Sequence, residues 1–332
     1  MKPIPTILRL DVEPDEFEPG PDRPPWTGFV AMVDLIERLR APLAGRSCVA
    51  VHPTWFFRFD PDIERLYGRS DFVVDTYGAQ IDQLRTHGDQ FGINPHHYRW
   101  DAERCVSYSD HADTAWTNHC LDMSVHTFEQ CFGEPPRRAS QGSYFLSDAV
   151  ADHAISLGIE VDVTAEPGLP ALQHVNSFRA YATAPSTDFR EYPRRPYYPS
   201  RADLGSPASS DDDARGLLMV PLTSYDYNRA YGPWYKRLAK NILRWPYQHA
   251  PLNPWDSWPS PATFWDLVTR AVDEGPARYA AFAIRTDAPS SPKHRRVRAL
   301  LEHLPQHPIS RRLRFVDPLS PEIRSLVAPY TR

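Results

Sequence analysis

Cysteine is scarce. Cys48, Cys105, Cys120 and Cys131 are the only four in 332 residues, and none is paired in a C-x-x-C spacing. That excludes a disulfide framework. Long apolar runs are missing as well. No stretch reaches the roughly 18 residues a membrane span needs. The opening "MKPIPTILRLDVEP" has too short an apolar run for a signal peptide and reads as a strand, so the expected compartment is the cytoplasm. A basic excess is absent: 37 Lys and Arg against 42 Asp and Glu leave a formal charge of −5. Nucleic acid is therefore not an expected partner. The clusters "KHRRVR" and "SRRLR" sit among periodic apolar residues and read as solvated helix and strand faces. A Walker loop, G-x-G-x-x-G, G-x-S-x-G and H-E-x-x-H are all lacking, which leaves nucleotide binding and serine-hydrolase chemistry without support.

What is present suits a folded enzyme-sized body. Hydrophobic residues make up 41% and charged residues 24%, enough apolar mass for a substantial core. The 35 prolines shorten elements and stiffen connections. Nine tryptophans and 16 tyrosines suit either a groove that binds sugars or loops pinned by aromatic packing.

Strand and helix patterns alternate along the chain. "TILRLDVE" is a strand, and "TGFVAMVDLIERLRAPL" carries Phe29, Met32, Val33, Ile36 and Leu39 at helical spacing. "SCVAVHPTWFFRFD" is a second strand, "VVDTYGAQIDQLRTHGD" a second helix and "QFGIN" a third strand, with "PHHYRWD" as the loop at its carboxyl end. "TNHCLDMSVHTFEQCFG" and "SDAVADHAISLG" are helices, the latter N-capped by Ser147. "IEVDVT", "LLMVPLTSYDY" and "YAAFAIRTD" are later strands, and "PATFWDLVTRAVDEG" is a helix with a Pro start and a Gly stop. This order predicts a parallel α/β sheet, open or closed into a barrel. Residues 1–332 are expected to form one domain, with Pro185–Gly216, rich in Pro, Ser and Asp, as an irregular excursion.

In such folds, sites collect at the carboxyl ends of strands. Asp11 and Glu13 follow the first strand, two apart, so that both point the same way if the strand continues. One carboxylate of such a pair can hold a cation while the other activates water. Trp55 lies along the second strand, and Asn94, His96, His97, Tyr98 and Trp100 follow the third. Arg138 and Tyr144 come with the fourth, Tyr225 and Arg285 with later ones. Trp55, Tyr98, Trp100, Tyr144 and Tyr225 are the aromatic candidates for binding substrate.

Taken in order, "LRLDVEPD", "HGDQFGINPHHYRW", "RRASQGSY", "LGIEVDVTAEPG" and "FAIRTDAPSS" resemble the motifs of the polysaccharide deacetylase family, also called NodB-homology or carbohydrate esterase 4. The resemblance covers about residues 6–305 and is to a branch that starts on Asp-x-Glu. It implies a distorted, incomplete (β/α) barrel of about seven strands. It also implies a metal-dependent hydrolase that removes an acetyl group from a sugar or a related small amide or ester. Carried over, Asp11 is the base, Glu13 the metal carboxylate and Arg138 the arginine that orients the base. A divalent metal (zinc, cobalt or manganese) would sit on Glu13 and His96, with His97 or Asn94. Three positions depart from the pattern: the first metal histidine falls on Asn94, its usual H-x-x-x-H partner would fall on Tyr98, and the last-motif histidine falls on Arg285. An asparagine carbonyl suits harder cations than zinc. Arginine stays protonated, so it can stabilise an oxyanion but is a poor acid. The resemblance thus leaves a second reading open, a non-catalytic module that recognises carbohydrate or protein.

Overall fold

The segment "IPTILRLDV" alternates two apolar sets, which directs it to bury both faces of a strand. It forms β1 (Ile4–Val12), which pairs with three other strands of the sheet. The computed structural model describes residues 2–15, 25–47, 50–172, 181–226, 235, 238 and 250–328; Cys48 lies outside them. Further strands are β2 (Thr54–Phe57), β3 (Gln90–Ile93), β4 (Tyr98–Asp101), β5 (Val106–Ser109), β6 (Arg138–Ala139), β7 (Val161–Asp162) and β8 (Leu218–Met219). They are followed by β9 (Ser224–Tyr225), β10 (Ala250–Pro251), β11 (Ala280–Arg285) and β12 (Leu313–Phe315). The main sheet runs β11-β1-β2-β3-β6-β7-β8, with β12 added on β1. All its pairs are parallel. This is the distorted, incomplete (β/α) barrel that the resemblance implied. Its edge strands β8 and β11 are not paired with each other; beyond β8, the Thr223 N–H donates to the Ala281 carbonyl at 2.9 Å.

Helices return the chain from one strand to the next. They are α1 (Thr27–Ser47), α2 (Pro61–Tyr67), α3 (Phe72–Thr76), α4 (Gly78–Thr86), α5 (Thr114–Phe132), α6 (Asp148–Ser156), α7 (Pro261–Glu274), α8 (Pro292–His303) and α9 (Pro321–Arg324). Their ends follow capping chemistry. Asp113 caps α5 by accepting the Trp116 N–H, and Gly133, at φ 77°, closes it. Ser147 caps α6 as expected, and Ser260 with Pro261 opens α7.

Two apolar layers result. Leu8, Leu10 and Val12 of β1 face the helices, packed with residues such as Phe29, Met32 and Phe57. Ile7 faces the inside of the curl, with Phe56, Val161, Val163, Leu218 and Ala281. Period-two alternation therefore aims Arg9, Asp11 and Glu13 the same way as Ile7, into the interior near the carboxyl ends of the strands.

Two features depart from the expected elements. "PHHYRWD" is not all loop: Tyr98–Asp101 pairs antiparallel with Val106–Ser109 as a hairpin. Aromatic contacts hold it, with the Arg65 guanidinium 4.4 Å over Trp100 and Tyr108 stacked on Tyr181 at 4.7 Å. The excursion at 185–216 makes isolated bridges such as Tyr197 to Met219. It is irregular but well packed: Phe189, Tyr197 and Leu204 are buried, and buried Arg215 binds Asp148 and Asp152 of α6.

Candidate active site

Asp11 is the penultimate residue of β1, and its partner in register across the ladder is Arg285, the last residue of β11. Arg9, two residues earlier on the same face, grips Asp11 with two hydrogen bonds: Nε to Oδ1 at 2.8 Å and Nη2 to Oδ2 at 2.7 Å. Its Nη1 reaches the Val163 carbonyl at 2.9 Å. A forked, charge-assisted pair of this kind fixes both the position and the plane of the carboxylate. Burial pushes the Asp11 carboxyl above its usual range, with Arg9 opposing.

Glu13 continues the row. Its backbone N–H donates to the Thr286 hydroxyl at 3.0 Å, which ties the end of β1 to the end of β11. Its Oε1 lies 3.4 Å from His96 Nε2 and 3.5 Å from Asn94 Nδ2. Its Oε2 lies 3.6 Å from Arg285 Nε, which is also 3.4 Å from Asp287. Burial works against ionisation, yet Arg285, His96 and Arg58 together hold the Glu13 carboxyl well below the usual range.

The loop after β3 brings the nitrogen donors. The Asn94 N–H bonds the Phe57 carbonyl at 2.8 Å, extending the ladder by one residue past β3. The His96 N–H reaches Asp60, whose carboxylate is held in a fork by Arg58. The imidazole of His96 then lies flat on Gly142: a Cβ there would come within 2.2 Å of its Cδ2. Next along the chain, Ser143 and Tyr144 both occupy the left-handed region, at φ 56° and 54°. Such a conformation costs on the order of 1 kcal/mol per non-glycine residue and clusters at functional sites. Here it carries the Ser143 hydroxyl to 3.4 Å from His96 Nδ1 and 3.1 Å from the Tyr98 hydroxyl. The Tyr98 ring lies 5.0 Å from the His96 ring. The Tyr144 phenol sits in the electrostatic field of Arg9, Asp11 and Glu13.

Asp11, Glu13, Asn94, His96, Tyr98, Tyr144 and Arg285 lie together here. Other candidates do not. Arg138 is a correction: it opens β6 at the amino-terminal end of the strands. There it pairs with Asp317 and with Gln90, the first residue of β3. The arginine that orients Asp11 is Arg9 instead. Trp55 is fully buried between sheet and helices, donating to Asp89 at 2.8 Å, and lines no groove. Tyr225 bonds Glu274 at the end of α7, away from this rim. Trp100 lies on the outer hairpin under Arg65. His97 is fully buried and packs edge-on against Phe145 and His111, at 5.5 and 5.9 Å. Burial keeps both histidines neutral, His111 down to about 4. Arg9 was visible in "LRLDVE" as a charge in phase with the two carboxylates, and that phase was its only signal.

Among the described residues, no three His, Cys, Asp or Glu side chains are grouped to hold a metal ion. Glu13 and His96 make two. Asn94 adds an amide whose Oδ1 is buried without a hydrogen-bond partner. Amide N and O exchange places on a half-turn of the side chain, which would aim that oxygen at the Glu13–His96 gap. One carboxylate, one imidazole and one amide oxygen fit a divalent cation such as manganese better than zinc.

No protein-family profile matches the chain, and no curated protein sequence does. Solved structures do resemble it. A candidate glycoside hydrolase/deacetylase from Parabacteroides distasonis superposes with TM-score 0.52 at 14% identity, over 95% of this chain and 69% of that one. A candidate polysaccharide deacetylase from Mycobacterium smegmatis gives TM-score 0.46 at 12% identity, over 100% and 97%. A CE4 family pseudoenzyme from Bacillus anthracis gives 0.30 at 12%, over 48% and 43%. At these identities the likeness is one of fold.

Proposed function

We propose that the chain is a hydrolase that removes an acyl group from a sugar or a related small amide or ester. The observation that carries this reading is the two-pronged hold of Arg9 on Asp11, immediately beside the Glu13–His96 pair. A carboxylate fixed in position and plane is prepared to take a proton from water; positioned general bases contribute about 10²- to 10⁴-fold in rate. Asp11 takes that role. Glu13, His96 and Asn94 would hold a divalent cation, which when bound polarises an acyl oxygen and lowers the pKa of water. Arg285 supplies a fixed positive charge for the oxyanion of the tetrahedral intermediate. Tyr98 and Tyr144 border the space where the substrate would lie.

A specific observation favours a second reading, recognition without catalysis. Arg285 and Arg58 already compensate Glu13 electrically, and Asn94 stands where the resemblance implies a histidine. Elemental analysis of purified protein, with assays of ester and N-acetyl sugar substrates for wild type and Asp11→Asn, separates the two. Bound metal and a turnover that depends on Asp11 support the hydrolase. No metal and equal background rates on every substrate overturn it.

A further inference from the structure

Hydrolysis of an unactivated amide or ester needs a proton for the departing group. The resemblance implies a histidine for this, but Arg285 stands there and cannot give one up. The interior holds a second carboxyl at the same rim. Glu166 lies just past β7, where the Val163 N–H still pairs with the Ala139 carbonyl and the chain then turns, its own carbonyl accepting the Leu169 N–H at 2.9 Å. Its side chain is 1% exposed, and its Oε2 has no hydrogen-bond partner. Arg9 holds Asp11 with one edge and, with Nη1, the carbonyl of Val163, three residues before Glu166. The charged and titratable groups facing Glu166 are Arg9 and Asp11 of β1, Tyr144, and Asp256 beyond β10.

Resting on the hydrolase reading above, we propose that Glu166 is the proton donor to the leaving oxygen or nitrogen. Its O–H bond breaks as the bond from acyl carbon to leaving group breaks. The water's hydroxyl stays on the acyl carbon, and its other proton is on Asp11. The products are a carboxylic acid and an alcohol or amine, and Glu166 regains its proton from Asp11 or solvent. Burial raises both carboxyls, but their partners differ. Asp11 is clamped by two N–H groups of Arg9, which oppose the rise. Glu166 has no such clamp, and burial, only partly opposed by Arg9, raises its pKa to about 7.

The test compares leaving groups. With an N-acetyl sugar or alkyl acetate, Glu166→Gln is expected to cost about 10²- to 10⁴-fold in kcat/KM. With p-nitrophenyl acetate, whose leaving group needs no proton, the loss shrinks to a few-fold. The wild-type profile of kcat/KM against pH falls above about 7, where the donor loses its proton, and Glu166→Gln loses that limb. Glu166→Asp, which keeps an acid if Gln fails to fold, retains the limb at a lower rate. Equal losses on both ester classes, or an unchanged limb, overturn the donor role while leaving the hydrolase reading intact. A wild type indistinguishable from Asp11→Asn on every substrate overturns both.

Discussion

The barrel carries a forked arginine–carboxylate pair at each end, and the two do different work. At the carboxyl rim Arg9 grips Asp11, with side chains 7% and 10% exposed. At the amino rim Arg138 grips Asp317, at 12% and 27%. The contact chemistry is the same. What differs is the company. Asp11 has Glu13, His96, Arg285 and Glu166 around it; Asp317, two residues past the end of β12, shares Arg138 with Gln90, and β12 pairs with the first residues of β1. A fork beside a second carboxylate and an imidazole can move protons, whereas one beside an amide can only join strand ends. The comparison breaks first at Asp11. Replacing it with Asn keeps the shape but leaves one acceptor oxygen for the two Arg9 N–H groups and removes the base. Turnover of N-acetyl or ester substrate should fall about 10²- to 10⁴-fold, and thermal unfolding should come earlier as well, because Arg9 is left buried without its carboxylate. A variant as active as wild type would mean that this rim is not where the chemistry occurs.

Arg9→Met comes next. It removes one partner of a buried pair and leaves the Asp11 charge uncompensated in the interior, which typically costs about 3–5 kcal/mol. Urea titration reads this directly. Adding Asp11→Asn should recover much of the loss, because the orphaned charge is then gone. If the double variant is no more stable than Arg9→Met alone, Arg9 stabilises through packing and not through Asp11.

Gly142→Ala tests the platform under His96. The added Cβ would stand 2.2 Å from the imidazole, so the ring or the loop has to move. Overpacking of this kind costs about 1–3 kcal/mol. Here it should also displace His96 from Glu13, lowering both metal uptake and turnover. A shifted and broadened His96 imidazole signal in the NMR spectrum is expected; an unperturbed one would show that the ring does not depend on Gly142.

How much of this was legible in the chain varies with element length. β1 spans nine residues, and its alternation fixed which side chains enter the interior. Asp11 and Glu13 therefore share the interior face with Ile7, and His96 lies one loop past β3. β6, β7 and β8 have two residues each, too few for any period to show. Arg138 begins β6 and was read as if it ended it, an error of one short strand that moves a side chain to the opposite rim. Trp55 stands on a strand buried on both faces, where an aromatic residue carries no sign of which side it takes. Glu166 follows a two-residue strand and precedes Pro-Gly, a turn signal that gives no sign of burial. The Ser143–Tyr144 conformation left no trace either, since neither residue is one that favours positive φ.

The smallest expected effect is at Arg138, and it sharpens the comparison because it uses the same arginine chemistry with none of the same neighbours. Arg138→Ala removes two contacts to Asp317 and one to Gln90. Asp317 is 27% exposed, so water can solvate its carboxylate once the guanidinium is gone. Its other bond, from the Leu319 N–H at 2.9 Å, remains. Exposed and half-exposed ion pairs are typically worth about 0–1 kcal/mol, so stability should change by no more than about 1 kcal/mol, with stronger salt dependence in wild type than in the variant. Turnover should stay within about twofold of wild type, since the chain of contacts from Arg138 reaches only the amino-terminal ends of β3 and β6. A large loss of activity with unchanged stability would mean that Arg138 acts on Asp11 through the length of the sheet, and that the two ends of the barrel are not independent.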